Sequence, residues 1–225
     1  MEKPLETLIV DSILDAIADQ RLQAGTKLGE QALSDLFACN RVHVRRALSM
    51  LTAWQVVDHL PNRGAYVATP TPQDARDVFQ ARRAIETTIC RNVIRLASDQ
   101  DIAALHQHLA QEDAARGQDN RPTKIRLSRG FHTLLARIGG NPVLARYLDE
   151  LTMRSSLIIG LYATGPGTLC AEDEHARIVA AIEARDEAQA LALLDQHLRH
   201  IEAGIRFDDK PPLPGTLSKV LGPGF

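Results

Sequence analysis

Apolar positions along the first 60 residues recur at intervals that predict three short helices. Residues 5–20 carry apolar side chains at the spacing of one helix face, and Gly25 ends that pattern. Residues 30–37 and 41–53 predict two further helices. They are separated by a compact linker that ends on Asn40, a candidate N-cap. The sequence therefore begins with three closely spaced helices.

A β-hairpin is predicted directly after the third helix. Two short apolar runs, VVDHL at 56–60 and AYVA at 65–68, flank the turn sequence PNRG. Three helices followed by such a hairpin are typical of a winged helix-turn-helix. We therefore expect residues 1–68 to form a winged helix-turn-helix DNA-binding domain.

The remainder of the chain has the pattern of an all-helical domain. Residues 69–72 read TPTP and predict a stiff linker. We expect a C-terminal all-α six-helix bundle over residues 73–206 and a poorly ordered tail, rich in Pro and Gly, over residues 207–225. The fold class predicted is mainly α. The six bundle helices are expected at about 73–97, 99–116, 122–139, 142–162, 171–185 and 187–206.

Composition supports this assignment. The 225 residues are 44% hydrophobic but only 4% aromatic, so the core must consist mainly of Leu, Ile, Val and Ala, which favours helices over a β-sandwich. Cys39, Cys90 and Cys170 match no metal or redox spacing and fit a reducing cytosol. We find no signal-peptide pattern at the N-terminus, and the longest apolar stretch is too short to span a bilayer. We expect a soluble cytoplasmic protein that does not contact membranes.

Positive charge is concentrated in the predicted DNA-binding domain. The formal net charge is −2, yet residues 39–64 contain Arg41, Arg45, Arg46 and Arg63. The second helix of a helix-turn-helix enters the major groove, and the planar fork of Arg fits guanine or phosphate. A run of arginines can also simply solvate a helix face. The hairpin that follows favours the DNA-binding interpretation.

Residues 5–68 resemble the DNA-binding head of GntR-type bacterial regulators. Three departures stand out: Ala38-Cys39-Asn40 replaces a usual Gly-Val-Ser, His43 stands where Pro is common, and Gln55 replaces a usual Gly. The positions that match the family pattern are Leu28, Glu30, Leu33, Arg41, Val44, Arg45, Ala47, Leu48, Leu51, Asn62, Arg63, Gly64 and Val67. The resemblance implies DNA contacts from Gln31, Asn40, Arg41, His43, Arg45, Arg63 and Gly64.

Three histidines lie on or beside the apolar faces of three predicted bundle helices. His132, His175 and His197 should therefore all point toward the bundle interior. A neutral imidazole nitrogen is a good ligand for Zn²⁺ or Ni²⁺. The alternative is a set of core histidines that are satisfied by hydrogen bonds.

The surroundings of these histidines resemble the effector-binding domain of the FadR branch of GntR regulators, the FCD domain, in its six-helix VanR-type subgroup. The resemblance rests on FH at 131–132, EHARI at 174–178 and HLRH at 197–200. It implies a divalent transition metal, Zn or Ni, held by His132, His175 and His197.

One ligand of the family pattern is missing from this chain. Metal-binding members usually carry Asp four residues before the first His, where this chain has Ser128. Water, the effector or a metal-free site could fill that place. His200, one turn beyond His197, could face the same cavity, whereas His106 and His108 are expected on the surface.

An arginine on the apolar stripe of the first bundle helix is a second candidate for ligand binding. A buried guanidinium is costly unless it is paired. Arg82 could form an ion pair with an acid of another helix, or its side chain could extend outward to solvent. The resemblance instead implies that Arg82 binds a carboxylate of the effector, with Arg154 as a weaker candidate.

Together these features predict a ligand-responsive bacterial transcriptional regulator, a repressor that binds a palindromic operator as a homodimer. A small organic acid bound in the helical domain would modulate its DNA affinity. The main alternative is a three-His metal-dependent hydrolase with a DNA-binding head, in which Glu174 would be the only nearby base. An effector domain that only dimerises is a third possibility. We expect no enzyme activity.

Overall fold

The computed structural model describes residues 3–163 and 173–207, with the single positions 217 and 221. Most of the tail that was expected to be poorly ordered, residues 207–225, lies outside the described residues, as do Cys170 and the predicted start of the fifth bundle helix. Leu217 and Leu221 are partly buried and pack against the core of the N-terminal head. None of the helices in the described part of the chain is long and apolar enough to cross a membrane.

The N-terminal head is a three-helix unit with a small antiparallel sheet. The hairpin is present where the sequence predicted it, and it pairs Val57 with Val67, which are both buried. A third strand pairs with the second strand of the hairpin. It was not predicted, because its two residues are too few to show an alternation of apolar and polar positions. The elements are α1 (Leu5–Ala18), β1 (Lys27–Leu28), α2 (Glu30–Leu36), α3 (Arg41–Ala53), β2 (Val57–Leu60) and β3 (Gly64–Val67).

The third helix begins at the predicted residue for the predicted reason. The side-chain oxygen of Asn40 accepts a hydrogen bond from the Val42 backbone N–H at 3.0 Å, which satisfies one of the free donors of the first turn. The apolar face of α3 is buried against the rest of the head. Its members are Val44, Ala47, Leu48 and Leu51.

The C-terminal part is a bundle of six helices within the described residues, which confirms the mainly α fold class. Capping boxes begin the first two of them, from Thr71 with Asp74 and from Ser98 with Asp101. The helices are α4 (Pro72–Leu96), α5 (Asp99–Arg116), α6 (Arg121–Ile138), α7 (Pro142–Tyr162), α8 (Glu174–Glu183) and α9 (Glu187–Ala203).

The head packs directly on the bundle through α1, which contacts α6 and α7. Met153 and Leu157 of α7 are part of the same apolar core as the head helices. Gly160 permits the close approach, since a Cβ there would lie 3.1 Å from Ile17 Cγ2 and 3.2 Å from the Ile17 carbonyl oxygen. The N-terminal head is thus anchored to two helices of the bundle.

Two departures from the family pattern keep the backbone conformation that glycine would favour. Ala38 has φ 46° and Gln55 has φ 55°, and both stand where the GntR-type pattern has Gly. The left-handed conformation costs a non-glycine residue about 1–2 kcal/mol. The turn between α2 and α3 and the entry to the hairpin are therefore strained by these side chains.

We predict that Ala38→Gly and Gln55→Gly each raise the free energy of unfolding by about 0.5–1 kcal/mol, because relief of strain exceeds the extra flexibility of Gly in the unfolded chain. Urea unfolding would measure it. Ala53→Gly is the matched control: this residue is also exposed, but it lies in α3, so the change should lower stability by about 0.5–1 kcal/mol. If the two test variants behaved like the control, neither position would be strained.

Candidate metal centre and nucleic-acid interface

The three predicted histidines converge in the interior of the bundle. His132 of α6, His175 of α8 and His197 of α9 are at most 3% exposed. The Nε2 atom of His197 lies 3.2 Å from Nε2 of His175 and 3.2 Å from Nε2 of His132, and one nitrogen of each ring lies within 4.8 Å of the others. Tetrahedral Zn–N bonds of about 2.0–2.1 Å would separate ligand nitrogens by about 3.3 Å. The spacing fits one transition-metal ion.

A carboxylate lies against the opposite ring nitrogen of each histidine. A proton on Nδ1 that points at a carboxylate fixes the tautomer and leaves the Nε2 lone pair directed inward. The His132 contact is short but does not have the angles of an aligned hydrogen bond. The distances are 2.6 Å from His132 Nδ1 to Glu86 Oε2, 2.9 Å from His175 Nδ1 to Glu112 Oε1 and 2.8 Å from His197 Nδ1 to Glu174 Oε2.

This arrangement bears on the choice between a metal site and a set of satisfied core histidines. If each Nδ1 carries its proton toward a carboxylate, the three Nε2 atoms face one another as acceptors with no proton between them. Such a contact is repulsive unless a cation lies at its centre. The donor set therefore fits a divalent ion, with the carboxylates as the outer groups that orient the ligands.

The charge states of these groups are those that metal binding requires. Burial lowers the pKa of His132 to about 4 and lowers the pKa of His197 well below its ordinary value. Burial opposes ionisation of Glu86, but Arg82 and His132 hold its pKa down to about 2. The rings of His132 and His197 are thus neutral and the Glu86 carboxylate is charged at neutral pH.

Two of the three carboxylates were missed by sequence reasoning. Glu86 comes from α4 and Glu112 from α5, so neither is near its histidine in sequence. Glu174 was considered as a hydrolytic base, but its carboxylate contacts His197 Nδ1 and, at 3.0 Å, His200 Nδ1. The only sequence signal for Glu86 was its place one turn after Arg82 on a helix with a buried face.

The fourth ligand position of the family pattern is filled by a hydroxyl residue. Ser128 lies one turn before His132 on α6 and is half-buried. A serine hydroxyl is not among the usual protein ligands of Zn²⁺. The described cluster therefore offers three nitrogen ligands and leaves a coordination position for water or another oxygen.

Arg82 is buried beside this cluster and its partner is not the one expected. It is 2% exposed, its Nε donates to Glu86 Oε1 at 2.7 Å, and its Nη1 donates to Ser155 Oγ at 3.0 Å. The alternative of an ion pair is met, but by an acid of the same helix, Glu86, rather than by one of another helix. The Nη2 atom is buried and has no hydrogen-bond partner among the described residues.

The remaining effector candidates, Arg154 and His200, have other neighbours. Hydrogen bonds from Thr71 lower the pKa of Asp74, and the charge of Arg154 lowers it further. Asp74 lies at the start of α4, two turns before Arg82. His200 is partly exposed and shares the Glu174 carboxylate with His197. The structure thus places His200 at the edge of the cluster and Arg154 near the linker.

One histidine that was predicted on the surface instead lies against Glu112, the carboxylate that contacts His175. His108 is partly buried, its Nε2 lies 2.9 Å from the Leu127 carbonyl oxygen, and it is 3.4 Å from Glu112 Oε1. The surface prediction for His108 was wrong because α5 packs this face against α6. His106 is exposed, as expected.

In the head, the arginines of α3 are exposed but paired with neighbouring elements. Arg41 contacts Gln31, and Arg45 Nε donates to Glu30 Oε2 at 2.8 Å. The partners belong to α2. The side chain of Arg45 is 62% exposed, so the free ends of its guanidinium remain available to a ligand in solvent.

The other predicted DNA contacts occupy different surroundings. His43 Nδ1 lies 3.0 Å from Glu6 Oε1, so this nitrogen of the ring faces α1. Asn40 caps α3 with its side-chain oxygen. Gly64 has φ 94° where the hairpin turn leads into β3. The Arg63 guanidinium lies 5.9 Å from the ring centre of Tyr66. Arg63 and Gly64 thus lie at the tip of the wing.

Comparison with protein families identifies both parts of the chain. Residues 77–200 match the FCD domain, which is more than half of the chain, and residues 5–67 match the bacterial regulatory proteins of the gntR family.

Relatives and solved structures agree with these family matches. The transcriptional repressor RspR of Escherichia coli is 25% identical over 81% of this chain and 80% of its own length. The transcriptional regulator LutR of Bacillus subtilis is 24% identical over 83% of this chain and 94% of its own. The structure of Escherichia coli McbR/YncC has the same fold, with a TM-score of 0.75 at 17% identity, over 90% of this chain and 97% of that one.

We predict that the metal-free protein loses stability as the pH falls from about 6.5 to 4. An unfolded imidazole titrates near 6.5, whereas burial holds the pKa of His132 at about 4, so the unfolded state binds more protons within this window. Urea unfolding in the presence of a chelator, at several pH values, would show the slope. His59→Gln, on an exposed residue of the wing, should leave the slope unchanged. A stability that is constant between pH 7 and 5 would contradict the burial of neutral rings.

Proposed function

Because this chain belongs to the GntR family of bacterial regulatory proteins and carries an FCD domain, we propose that it is a repressor whose DNA binding responds to a small organic acid. It is a transcriptional regulator of the GntR type and not an enzyme. The names of RspR and GlaR of Escherichia coli, both called repressors, support the sign of regulation. It acts in the cytoplasm, as a homodimer on a palindromic operator.

The hydrolase alternative has no support in the site. The relatives are transcriptional regulators, and the Glu174 carboxylate that would have to act as a base contacts the outer nitrogens of His197 and His200. A carboxylate on the Nδ1 side of a ligand orients that ligand rather than a reacting water.

The DNA-binding proposal places α3 in the major groove. The exposed arginines of its first turns supply forks for guanine or phosphate, and the wing supplies Arg63. The contacts of Arg41 with Gln31 and of Arg45 with Glu30 hold the two guanidinium groups in place before DNA arrives. Side chains that are held in advance lose less entropy on binding.

The metal proposal rests on one observation: three Nε2 atoms meet while the three Nδ1 atoms face carboxylates. We infer that His132, His175 and His197 hold a divalent transition metal, Zn²⁺ or Ni²⁺. When bound, such an ion supplies a Lewis-acidic position for an oxygen ligand. Glu86, Glu112 and Glu174 hold the rings in place.

A carboxylate effector fits the remaining donors. Arg82 Nη2 is a buried N–H group without a partner among the described residues. Glu86 links Arg82 to the cluster, since its Oε1 accepts from Arg82 Nε and its Oε2 lies 2.6 Å from His132 Nδ1. The three glutamates balance a divalent ion and Arg82 together. The site therefore selects a carboxylate through directed contacts rather than through excess positive charge.

The route from the effector to the head is short. α6 carries both His132 and Ser128, and the same helix touches α1 through an ion pair of 3.1 Å between Arg126 and Asp15. α7 carries Ser155, the partner of Arg82, and also Gly160, which packs closely against Ile17 and Ala18 of α1. An effector that prefers one arrangement of α6 and α7 would shift the position of the head.

We predict that Arg45→Ala weakens operator binding by about 1–3 kcal/mol, the loss expected for a bidentate base contact. Fluorescence anisotropy at fixed salt, with an operator selected from random duplexes, would measure it. Arg91→Ala is the control, because Arg91 is an equally exposed arginine that pairs with Glu187 on the bundle. Equal affinities of the two variants would remove Arg45 from the interface.

We predict close to one Zn²⁺ or Ni²⁺ per chain in protein purified without chelator, and almost none in the triple His132→Ala, His175→Ala, His197→Ala variant. Glu112→Gln should weaken metal affinity by about 10–100-fold, because it alters the group that orients His175. Glu183→Gln is the control, since Glu183 contacts the exposed His106 and lies at the surface. Metal content that survives the triple substitution would place the ion elsewhere.

We predict that a small carboxylate binds the metal-loaded protein and lowers its DNA affinity. Calorimetry with a panel of mono- and dicarboxylates should show binding that is weakened at least tenfold, about 1.4 kcal/mol, by metal removal and by Arg82→Lys, which cannot reproduce the fork. Ser128→Asp should tighten metal retention and weaken the anion.

Two results would contradict this account of the pocket. One is a carboxylate that binds equally well without metal and without Arg82. The other is an anion that binds more tightly to Ser128→Asp. If no acid of the panel bound at all, the third alternative, a domain that only dimerises, would be favoured.

A further inference from the structure

The solvent-exposed face of α3 is centred on an apolar residue. With a rotation of about 100° per residue, the buried side chains of this helix point, on average, about 170° away from Val42. Val42 is 48% exposed and lies in the first turn, the end of the helix that enters the groove in a helix-turn-helix. Val42 therefore occupies the centre of the surface that α3 would present to DNA.

The neighbours of Val42 leave this position open. Arg45 and Arg46 lie on either side of it around the helix, and their side chains are drawn toward Glu30 and Glu6 respectively. His43, which the family resemblance suggested as a DNA contact, turns toward Glu6 on α1. The groove-facing surface of the first turn thus consists of an isopropyl group between two cations.

An exposed valine at this place does not contribute to the head itself. It is a weaker helix former than Ala or Leu, and its side chain is outside the buried cluster of the head. In the major groove, the 5-methyl group of thymine is the apolar group that a base edge offers. An isopropyl group there would replace water against that methyl, with no hydrogen bond to satisfy.

We propose that Val42 reads thymine: it contacts the 5-methyl group of one thymine in each operator half-site and makes that position specific. This inference rests on the proposed DNA-binding function of α3. It also implies that His43 positions α3 against α1 through Glu6 and does not read a base.

The test compares thymine with uracil, which differ only in that methyl group. The full-length chain is first used to select its operator from random duplexes. Each thymine of the selected half-site is then replaced by uracil, symmetrically in both half-sites. One replacement should weaken binding about fourfold per half-site, the effect of one buried carbon, and the other replacements should have little effect.

Variants test whether the Val42 side chain is responsible for the difference in affinity between thymine and uracil operators. Val42→Ser should bind the thymine and uracil operators equally, since it lacks the apolar surface; the position is exposed, so the fold should persist in circular dichroism. Met50→Ala, another exposed apolar residue of α3, should discriminate as the wild type does.

The outcomes separate this proposal from the function on which it rests. If selection enriched no sequence at all, the proposed DNA-binding function would fail, and the reading of thymine with it. If an operator were found but no thymine could be distinguished from uracil, or if Val42→Ser discriminated as well as the wild type, only the role of Val42 would be overturned.

Discussion

The contact between each buried imidazole and a carboxylate is the interaction on which the effector domain depends. Three such contacts draw Glu86 of α4, Glu112 of α5 and Glu174 of α8 to the histidines of α6, α8 and α9. Five of the six bundle helices therefore meet at one point. Carboxylates and rings buried together are costly unless every charge is balanced. The proposed divalent ion at the Nε2 side, together with Arg82, would supply that balance.

The same constraint explains how a ligand could act on DNA binding. Two helices that contribute to the site, α6 with His132 and α7 with Ser155, are also the helices on which α1 rests. The contacts are made through Met153, Leu157 and Gly160 of α7 and through Arg126 of α6. A packed contact of this kind has few intermediate positions, so a small displacement of α6 or α7 would be passed on to the head. DNA affinity and ligand affinity would then be coupled in both directions.

Local patterns were sufficient to predict the helices, the hairpin and the three histidines, because each is determined by spacing within one segment. They could not identify Glu86 or Glu112, whose roles arise only when distant helices pack together. For the same reason His108 was wrongly expected on the surface. At α3, the family resemblance suggested His43, but helical geometry shows that this ring faces α1 and that Val42 is central to the exposed face. The periodicity of α3 alone places Val42 opposite the buried face, and the contact with Glu6 shows which way the His43 ring points.

X-ray absorption spectroscopy of the zinc-loaded full-length protein tests the central claim most directly. The account predicts a first shell of three imidazole nitrogens at about 2.0–2.1 Å and a single oxygen at about 2.0–2.2 Å, with multiple scattering from three imidazole rings. Addition of a bound carboxylate should change the oxygen shell and leave the imidazole count at three. A first shell with fewer than three imidazoles, or with a sulfur ligand at about 2.3 Å, would contradict the assignment of His132, His175 and His197 as the metal ligands.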